Sequence, residues 1–273
     1  MIPLDWHLFE TGHCLHPEAS SRIGASWRAC EFPSLVALLR HPRHGWILFD
    51  TGYGQAFMDA TRRWPERLYR AVTPVRWRPS QSAAAQLHAR GIEAASVAHV
   101  VISHFHGDHV GALADFPAAR VWCDRTAWHE LHGRHRLTAL AHGLLPALAP
   151  QYIDRRINFY DQSGVERLSP DLAPFHAGHD LFGDGSVLAV PLPGHATGHF
   201  GVCFRGPSEW VFLVGDAAWS SRAILDNLPP PRWATGMLGD TEAYRRSLAA
   251  LHALAARGGP VRLVPAHCRE ARR

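Results

Sequence analysis

Residues 100–113 read VVISHFHGDHVGAL, and within them His104, His106, Asp108 and His109 set three imidazoles and a carboxylate in six positions directly after an apolar run. In extended backbone, residues two apart face the same way, so His104 and His106 can address one ion. Gly107 then lets the chain turn and bring Asp108 and His109 round behind it. Neutral imidazoles and carboxylates are the donors that zinc and similar borderline metals prefer. A His-rich surface loop would explain any one of these histidines in a chain that has 20 of them. Four ligand types at this spacing, immediately behind a strand, argue instead for half of a two-metal site.

The other half lies downstream. PLPGHATGH places His195 after an apolar run, VFLVGDAAW does the same for Asp216, and VRLVPAH for His267. Ligand-type residues at the mouths of successive strands converge at one sheet edge.

The combined motif resembles the metallo-β-lactamase-fold hydrolase superfamily, whose HxHxDH signature is met by His104, His106, Asp108 and His109. The likeness runs from ILFDTG at 47–52 to the C-terminal PAH. The resemblance implies an α/β fold, an αββα sandwich of two mixed β-sheets flanked by helices. It also implies that His104, His106 and His195 hold one metal, that Asp108, His109 and His267 hold the other, and that Asp216 bridges both. That aspartate makes the chain similar to the dinuclear branches, glyoxalase II and the N-acyl homoserine (quorum-quenching) lactonases, rather than the true β-lactamases. His106 departs from the diiron flavoproteins of the superfamily, which carry Glu there. Order and length look most like the lactonase branch, where a Tyr follows the bridging Asp by three residues. Here that place holds Trp219, which offers apolar area and one N–H but no phenol; Tyr53 or Tyr69 would have to replace it.

Two divalent cations some 3.5–4 Å apart lower the pKa of a shared water, so a bridging hydroxide exists near neutrality without a strong protein base. Asp108 is the candidate to orient that hydroxide and pass its proton to the leaving group. The expected cofactors are two divalent ions, zinc first, with manganese, iron or cobalt accepted by the same donors. The expected reaction is hydrolysis of a lactone or other carboxylic ester, N-acyl homoserine lactone among them. The alternatives are a thioesterase or phosphodiesterase of the same fold, gripping its substrate through Arg76 and Arg78, and a non-hydrolytic iron redox enzyme or metal-binding scaffold. Asp50 in FDTG would support the ligating histidines from behind, and His199 reads as a buried partner rather than a ligand. Trp219, Phe105, Tyr53, Tyr69 and Trp77 are candidates to contact the substrate, a small molecule with an acyl or aromatic part; Met58 lies nearby in the pattern.

These residues need elements to position them. Strand-like runs fall at 4–9, 35–40, 46–50, 99–103, 120–123, 187–192, 201–204, 210–215 and 261–264, the second and third joined as a hairpin through HPRHG. Helical patterns fall at 81–90, 126–132, 137–148 and 241–257; the last sets Tyr244, Leu248, Leu251 and Ala255 on one face and stops at GGP. Strands lead in each half and helices follow, which predicts one domain over 1–273, with a lid segment at 53–79 that carries Trp64 and several arginines.

Composition is that of a globular chain, 47% hydrophobic and 19% charged over 273 residues. No apolar run approaches the roughly 18–20 residues of a membrane helix. The first residues lack a secretory pattern, so a cytoplasmic location is expected. Five scattered cysteines without a CxxC pair exclude a thiolate zinc site, and Cys268 beside His267 reads as packing. The formal charge of +4 rests entirely on arginine, since the chain has no lysine. A coding bias accounts for that more cheaply than a phosphate-binding face, so no nucleic-acid partner is expected. Surface tryptophans leave two uses open, a homodimer interface or the mouth of an apolar pocket.

Overall fold

Strand residues alternate between two apolar neighbourhoods, and that alternation builds the layers. Val36, Leu38, Leu48 and Val100 face one way, toward helices, while Ala37, Leu39, Ile47, Phe49 and Val101 face the other. The second set meets Val187, Ala189, Val202, Phe204, Val211 and Leu213 from a second sheet. The far face of that sheet, with Leu188, Val190, Phe212 and Val214, packs on Tyr244, Leu248, Leu251 and Leu254 of a long helix. The computed structural model is therefore the αββα sandwich expected; it describes residues 2–236 and 239–272, and Met1, Met237, Leu238 and Arg273 of the expected 1–273 domain lie outside the described residues.

The first sheet contains β1 (Asp5–Pro17), β2 (Ala29–His41), β3 (Gly45–Phe49), β4 (Val75–Arg76), β5 (Val97–Val101), β6 (Arg120–Cys123) and β7 (Ile157–Phe159), in the order β4-β1-β2-β3-β5-β6-β7. The second contains β8 (Val165–Arg167), β9 (Ala177–Asp180), β10 (Val187–Pro191), β11 (Phe200–Arg205), β12 (Trp210–Gly215) and β13 (Val261–Pro265), in the order β13-β12-β11-β10-β9-β8. Both are mixed: β3, β5, β6 and β7 run parallel in the first sheet, and β12 and β13 in the second. The helices are α1 (Gln55–Ala60), α2 (Arg67–Val72), α3 (Ala83–His88), α4 (Gly107–Val110), α5 (Arg125–Gly133), α6 (Arg136–Ala141), α7 (Ser221–Asp226), α8 (Arg232–Thr235) and α9 (Thr241–Ala256). Asp240 caps α9 by accepting the backbone N–H groups of Glu242 and Ala243. Among the described residues no helix is long and apolar enough to cross a membrane, and all five cysteines are free thiols.

Several elements differ from those expected from the sequence. The first strand does not stop at Phe9. It continues through Gly12, whose φ of +94° only glycine adopts at ease, across a register shift between Glu10 and His13, to Pro17. Its partner accordingly starts at Ala29 rather than Leu35. The helix expected over 137–148 ends at Ala141, because Gly143 turns to φ +71° and Pro146 cannot continue it. The helix expected over 81–90 spans only Ala83–His88, capped by Ser82, which accepts the Ala85 N–H. The short strands β4, β7, β8 and β9 were not expected; two to four residues are too few to show a period.

At the β2–β3 turn the His41 Nδ1 accepts the backbone N–H groups of Arg43 and His44. Its Nε2 must then carry the proton, and it faces Asp184 Oδ2 at 3.3 Å. A nitrogen so protonated cannot ligate, so His41, His44 and Asp184 form a structural cluster although their spacing would suit an ion. Burial opposes charge on Asp184, but the nearby Ser186, whose backbone N–H donates to Oδ1, and the Arg43 guanidinium outweigh it and hold the carboxyl at about 2. A depressed carboxyl stabilises the fold above its ordinary pKa and ceases to as pH falls toward the folded value. Asp184→Asn should therefore lower Tm by about 2–4 °C at pH 7. The gap to wild type should close between pH 4 and pH 2 in a thermal melt series; a gap constant across that range would contradict the assignment.

Candidate metal centre

The strand ends bring seven side chains to one place. His104, His106, Asp108 and His109 follow β5, His195 follows β10, Asp216 follows β12 directly, and His267 follows β13. They meet as three overlapping groups: His104, His106 and His195; His104, His109 and Asp216; Asp108, His109 and His267. Within each group the potential donor atoms lie within 4.8 Å of one another. Asp216 links them, with Oδ2 3.2 Å from His195 Nε2 and 3.0 Å from His267 Nε2, and Oδ1 3.3 Å from His109 Nε2.

Hydrogen bonds behind the rings fix which nitrogen faces inward. His267 Nδ1 donates to the Pro33 carbonyl at 2.7 Å, His109 Nδ1 to Asp50 Oδ2 at 2.8 Å, and His106 Nε2 to the His142 carbonyl at 3.1 Å. The Ser103 hydroxyl gives its proton to Asp50 Oδ2, so at 3.1 Å it accepts from His104 Nδ1. Each far nitrogen thus carries a proton, so that in the neutral ring the inward nitrogen offers its lone pair. His106 Nδ1 consequently lies 3.0 Å from both His104 Nε2 and His195 Nε2. The lone pairs of His104 and His106 cannot hydrogen-bond one another; a cation between them removes the conflict. His109 Nε2 and Asp216 Oδ1 are likewise buried without a hydrogen-bond partner. The donor set therefore fits divalent ions of the zinc type.

Burial opposes charge on every one of these rings. At His104 and His195 it wins, and both lie well below the ordinary histidine range. At His267 the carboxylates, Asp216 foremost, overcome it and hold the ring at about 8; at His109 the same carboxylates with Asp50 hold it well above its usual value. Asp216 is held well below the carboxylate range, because His267, His109 and His195 outweigh its burial. The carboxylates thus favour a proton on the inward nitrogens of His267 and His109, His267 Nε2 lying 3.0 Å from Asp216 Oδ2, and a cation would take the place of that proton.

A solvent-open cavity of about 110 Å³ lies over the cluster. Its floor is His106, Asp108, His195, Asp216 and His267; its walls include Cys14 and His16 from β1, Phe32 from β2, Tyr69 from α2, Thr73 just after it, and Trp219. Of the seven clustered side chains Asp108 has the most exposure, 13%, and so is the carboxylate a bound molecule would reach.

The sequence profile of the metallo-beta-lactamase superfamily matches residues 31–257. The chain belongs to that superfamily. A probable metallo-hydrolase of Mycobacterium tuberculosis is 32% identical over 204 residues, covering 70% of this chain and 60% of that protein, so the chain spans less than two thirds of that relative. The N-acyl homoserine lactonase AttM of Azorhizobium caulinodans is 31% identical over 235 residues, covering 84% of this chain and 80% of that one. Among solved structures, an N-acyl homoserine lactone hydrolase holding N-hexanoyl-L-homoserine at its catalytic metal centre superposes with a TM-score of 0.73 at 17% identity, over 99% of this chain and 96% of that one. The dizinc lactonase AidC does so with a TM-score of 0.67 at 17% identity, over 97% and 88%.

In this superfamily member the remaining expected residues divide. Trp219 and Tyr69 line the cavity, and Tyr69 Oη accepts the Gly107 N–H at 3.3 Å. Phe105, Tyr53 and Trp77 do not line it: Phe105 packs on Trp128, Tyr53 on Phe57, and Trp77 against the helical side of the first sheet. All three are apolar enough to be claimed by the core, and period alone could not tell core from cavity. Arg76 and Arg78 are exposed, and neither lines the cavity. His199 has both nitrogens engaged, Nδ1 donating to Leu192 O and Nε2 accepting the Asp216 N–H, so it orients the loop and offers no lone pair. Gly107 opens α4 and serves by size, since a Cβ there would lie 2.6 Å from the Phe57 ring. Cys14, His16, Phe32 and Thr73 were not singled out from sequence. Cys14 and His16 stand two apart on one strand, the same signal that His104 and His106 carry, but Gly12 hid the strand.

Asp50 ties the arrangement together. It sits at φ +62°, accepts from the Ser103 N–H at 2.8 Å and the Ser103 hydroxyl at 2.9 Å, and orients His109. Asp50→Ala should weaken metal affinity about 10–100-fold in competition with a chromophoric chelator. Unchanged affinity in a folded variant would remove Asp50 from the orienting role.

Proposed function

We propose that the protein is a dinuclear metal-dependent hydrolase that opens lactones or other carboxylic esters, with N-acyl homoserine lactones the leading substrate class. His104, His106 and His195 would hold one ion and Asp108, His109 and His267 the other, with Asp216 between them. The observation that carries the reading is the set of inward nitrogens on His104, His106, His109 and His267, each opposite an acceptor on the far side of its ring. Similarity to AttM and to lactonase structures supports the substrate class. Divalent ions held there would polarise a carbonyl oxygen and supply a nucleophile by lowering the pKa of a shared water.

The protein's own residues do the rest. Asp108, carboxylate toward the cavity and 3.4 Å from His267 Nε2, is placed to take a proton from the attacking water and deliver it to the departing oxygen. Trp219, edge-on to Phe32 with ring centroids 6.1 Å apart, provides an apolar wall that keeps bulk water from the reacting carbonyl. Burial, with Asp108 adding to it, keeps the Tyr69 phenol protonated. Its oxygen accepts from Gly107, so its O–H remains a donor facing the cavity. Among the described residues no arginine lines the cavity, which favours a neutral ester over a phosphorylated substrate.

The test is proton release at constant pH from zinc- or cobalt-loaded protein given N-hexanoyl homoserine lactone. Turnover should vanish on chelation and return with the metal, and Asp108→Asn should cost about a hundredfold or more in kcat. No acid production above the metal-free control would overturn the lactonase reading. A fully metallated Asp108→Asn protein at the wild-type rate would remove Asp108 from proton transfer.

A further inference from the structure

His16 and Thr73 line the cavity but belong to none of the groups suited to an ion. They come from different parts of the chain. His16 projects from β1, two residues beyond Cys14 and on the same face; Thr73 follows α2. Backbone pairing fixes the two segments together at this point: Leu15 N–H donates to Pro74 O at 2.9 Å, and Cys14 stands opposite Val75 in the β1–β4 ladder. The side chains then meet, His16 Nε2 lying 3.3 Å from Thr73 Oγ1. Their neighbours in the wall are Phe32, Trp219, Tyr69, Ser20, whose hydroxyl proton is committed to the Pro17 carbonyl, and the thiol of Cys14, which burial keeps protonated. A hydrogen-bonding pair in so apolar a wall is costly to strip of water unless the incoming molecule offers partners.

The geometry points to His16 and Thr73 as a recognition subsite for a secondary amide on the substrate, beside the carbonyl that is attacked. This deepens the lactonase reading and rests on it for the identity of the reacting group. A hydroxyl has one proton and two acceptor positions, so the contact with His16 leaves Thr73 capacity for an amide N–H or C=O. An alkyl lactone of the same size leaves the pair its mutual contact but offers nothing to the capacity that remains on Thr73, which is stripped of water on binding. The subsite therefore sets a preference for N-acylamino lactones over alkyl lactones of about ten- to a hundredfold in kcat/KM.

The experiment compares N-hexanoyl homoserine lactone with γ-decalactone on metal-loaded wild-type, His16→Leu and Thr73→Val proteins, each checked for metal content and Tm. The ratio of the two kcat/KM values should fall about tenfold in each variant through KM of the amide substrate, with His16→Gln recovering part of it. Unchanged ratios in folded, metallated variants would overturn the subsite while leaving the lactonase reading in place. A second readout separates the two failures: quenching of tryptophan fluorescence by N-hexanoylglycine and by octanoate. Tighter binding of the amide that is lost in both variants upholds the subsite even if no lactone is turned over. Equal binding of the two in wild type counts against it.

Discussion

The nitrogen lone pairs of His104 and His106, held face to face at 3.0 Å, are the constraint on which the rest of this molecule depends. Left alone, such rings would rotate or protonate until they could hydrogen-bond. Neither happens at His104 and His106: burial keeps both neutral, the opposite nitrogen of His106 is tied to a carbonyl, and that of His104 to a hydroxyl already committed to Asp50; a carboxylate and a carbonyl fix the rings of His109 and His267 in the same way. The cost of desolvating this cluster is accepted by a fold whose apolar layers are extensive enough to hold it rigid.

The two sheets supply the rigidity. The residues of the cluster stand in the loops and the short helix α4 that follow β5, β10, β12 and β13, where the backbone leaves the ladder and a side chain can turn toward the edge shared by both sheets. The acceptors behind the rings come from elsewhere: Pro33 from β2, Asp50 from the end of β3, and His142 from the break after α6. That break is itself needed. Gly143 turns the chain there, and a Cβ on it would lie 3.0 Å from the His106 ring. Local irregularities that weaken an isolated element thus serve the orientation of the site.

The chain's own pattern made the centre legible, because HxHxDH and three later ligand-type residues each follow a clear apolar run. It made the layers legible too, since β2, β3, β5 and β10 to β13 alternate or run apolar as buried strands must. The cavity walls were not legible. Gly12 and Thr11 interrupt the pattern of β1 and concealed that Cys14 and His16 continue it; the aromatic residues Phe105, Tyr53 and Trp77 were equally suited to core and to cavity, and the core took them. The backbone acceptors were invisible for a different reason: a carbonyl oxygen is present at every residue, and only the fold selects which one meets a ring.

The most direct measurement is equilibrium dialysis of the metal-stripped protein against zinc at pH 8, with bound metal determined by elemental analysis. The account predicts two ions per chain, with the second site lost and the first retained in Asp108→Ala. A stoichiometry of one, or no retained metal, would contradict the claim that the oriented lone pairs form a dinuclear centre.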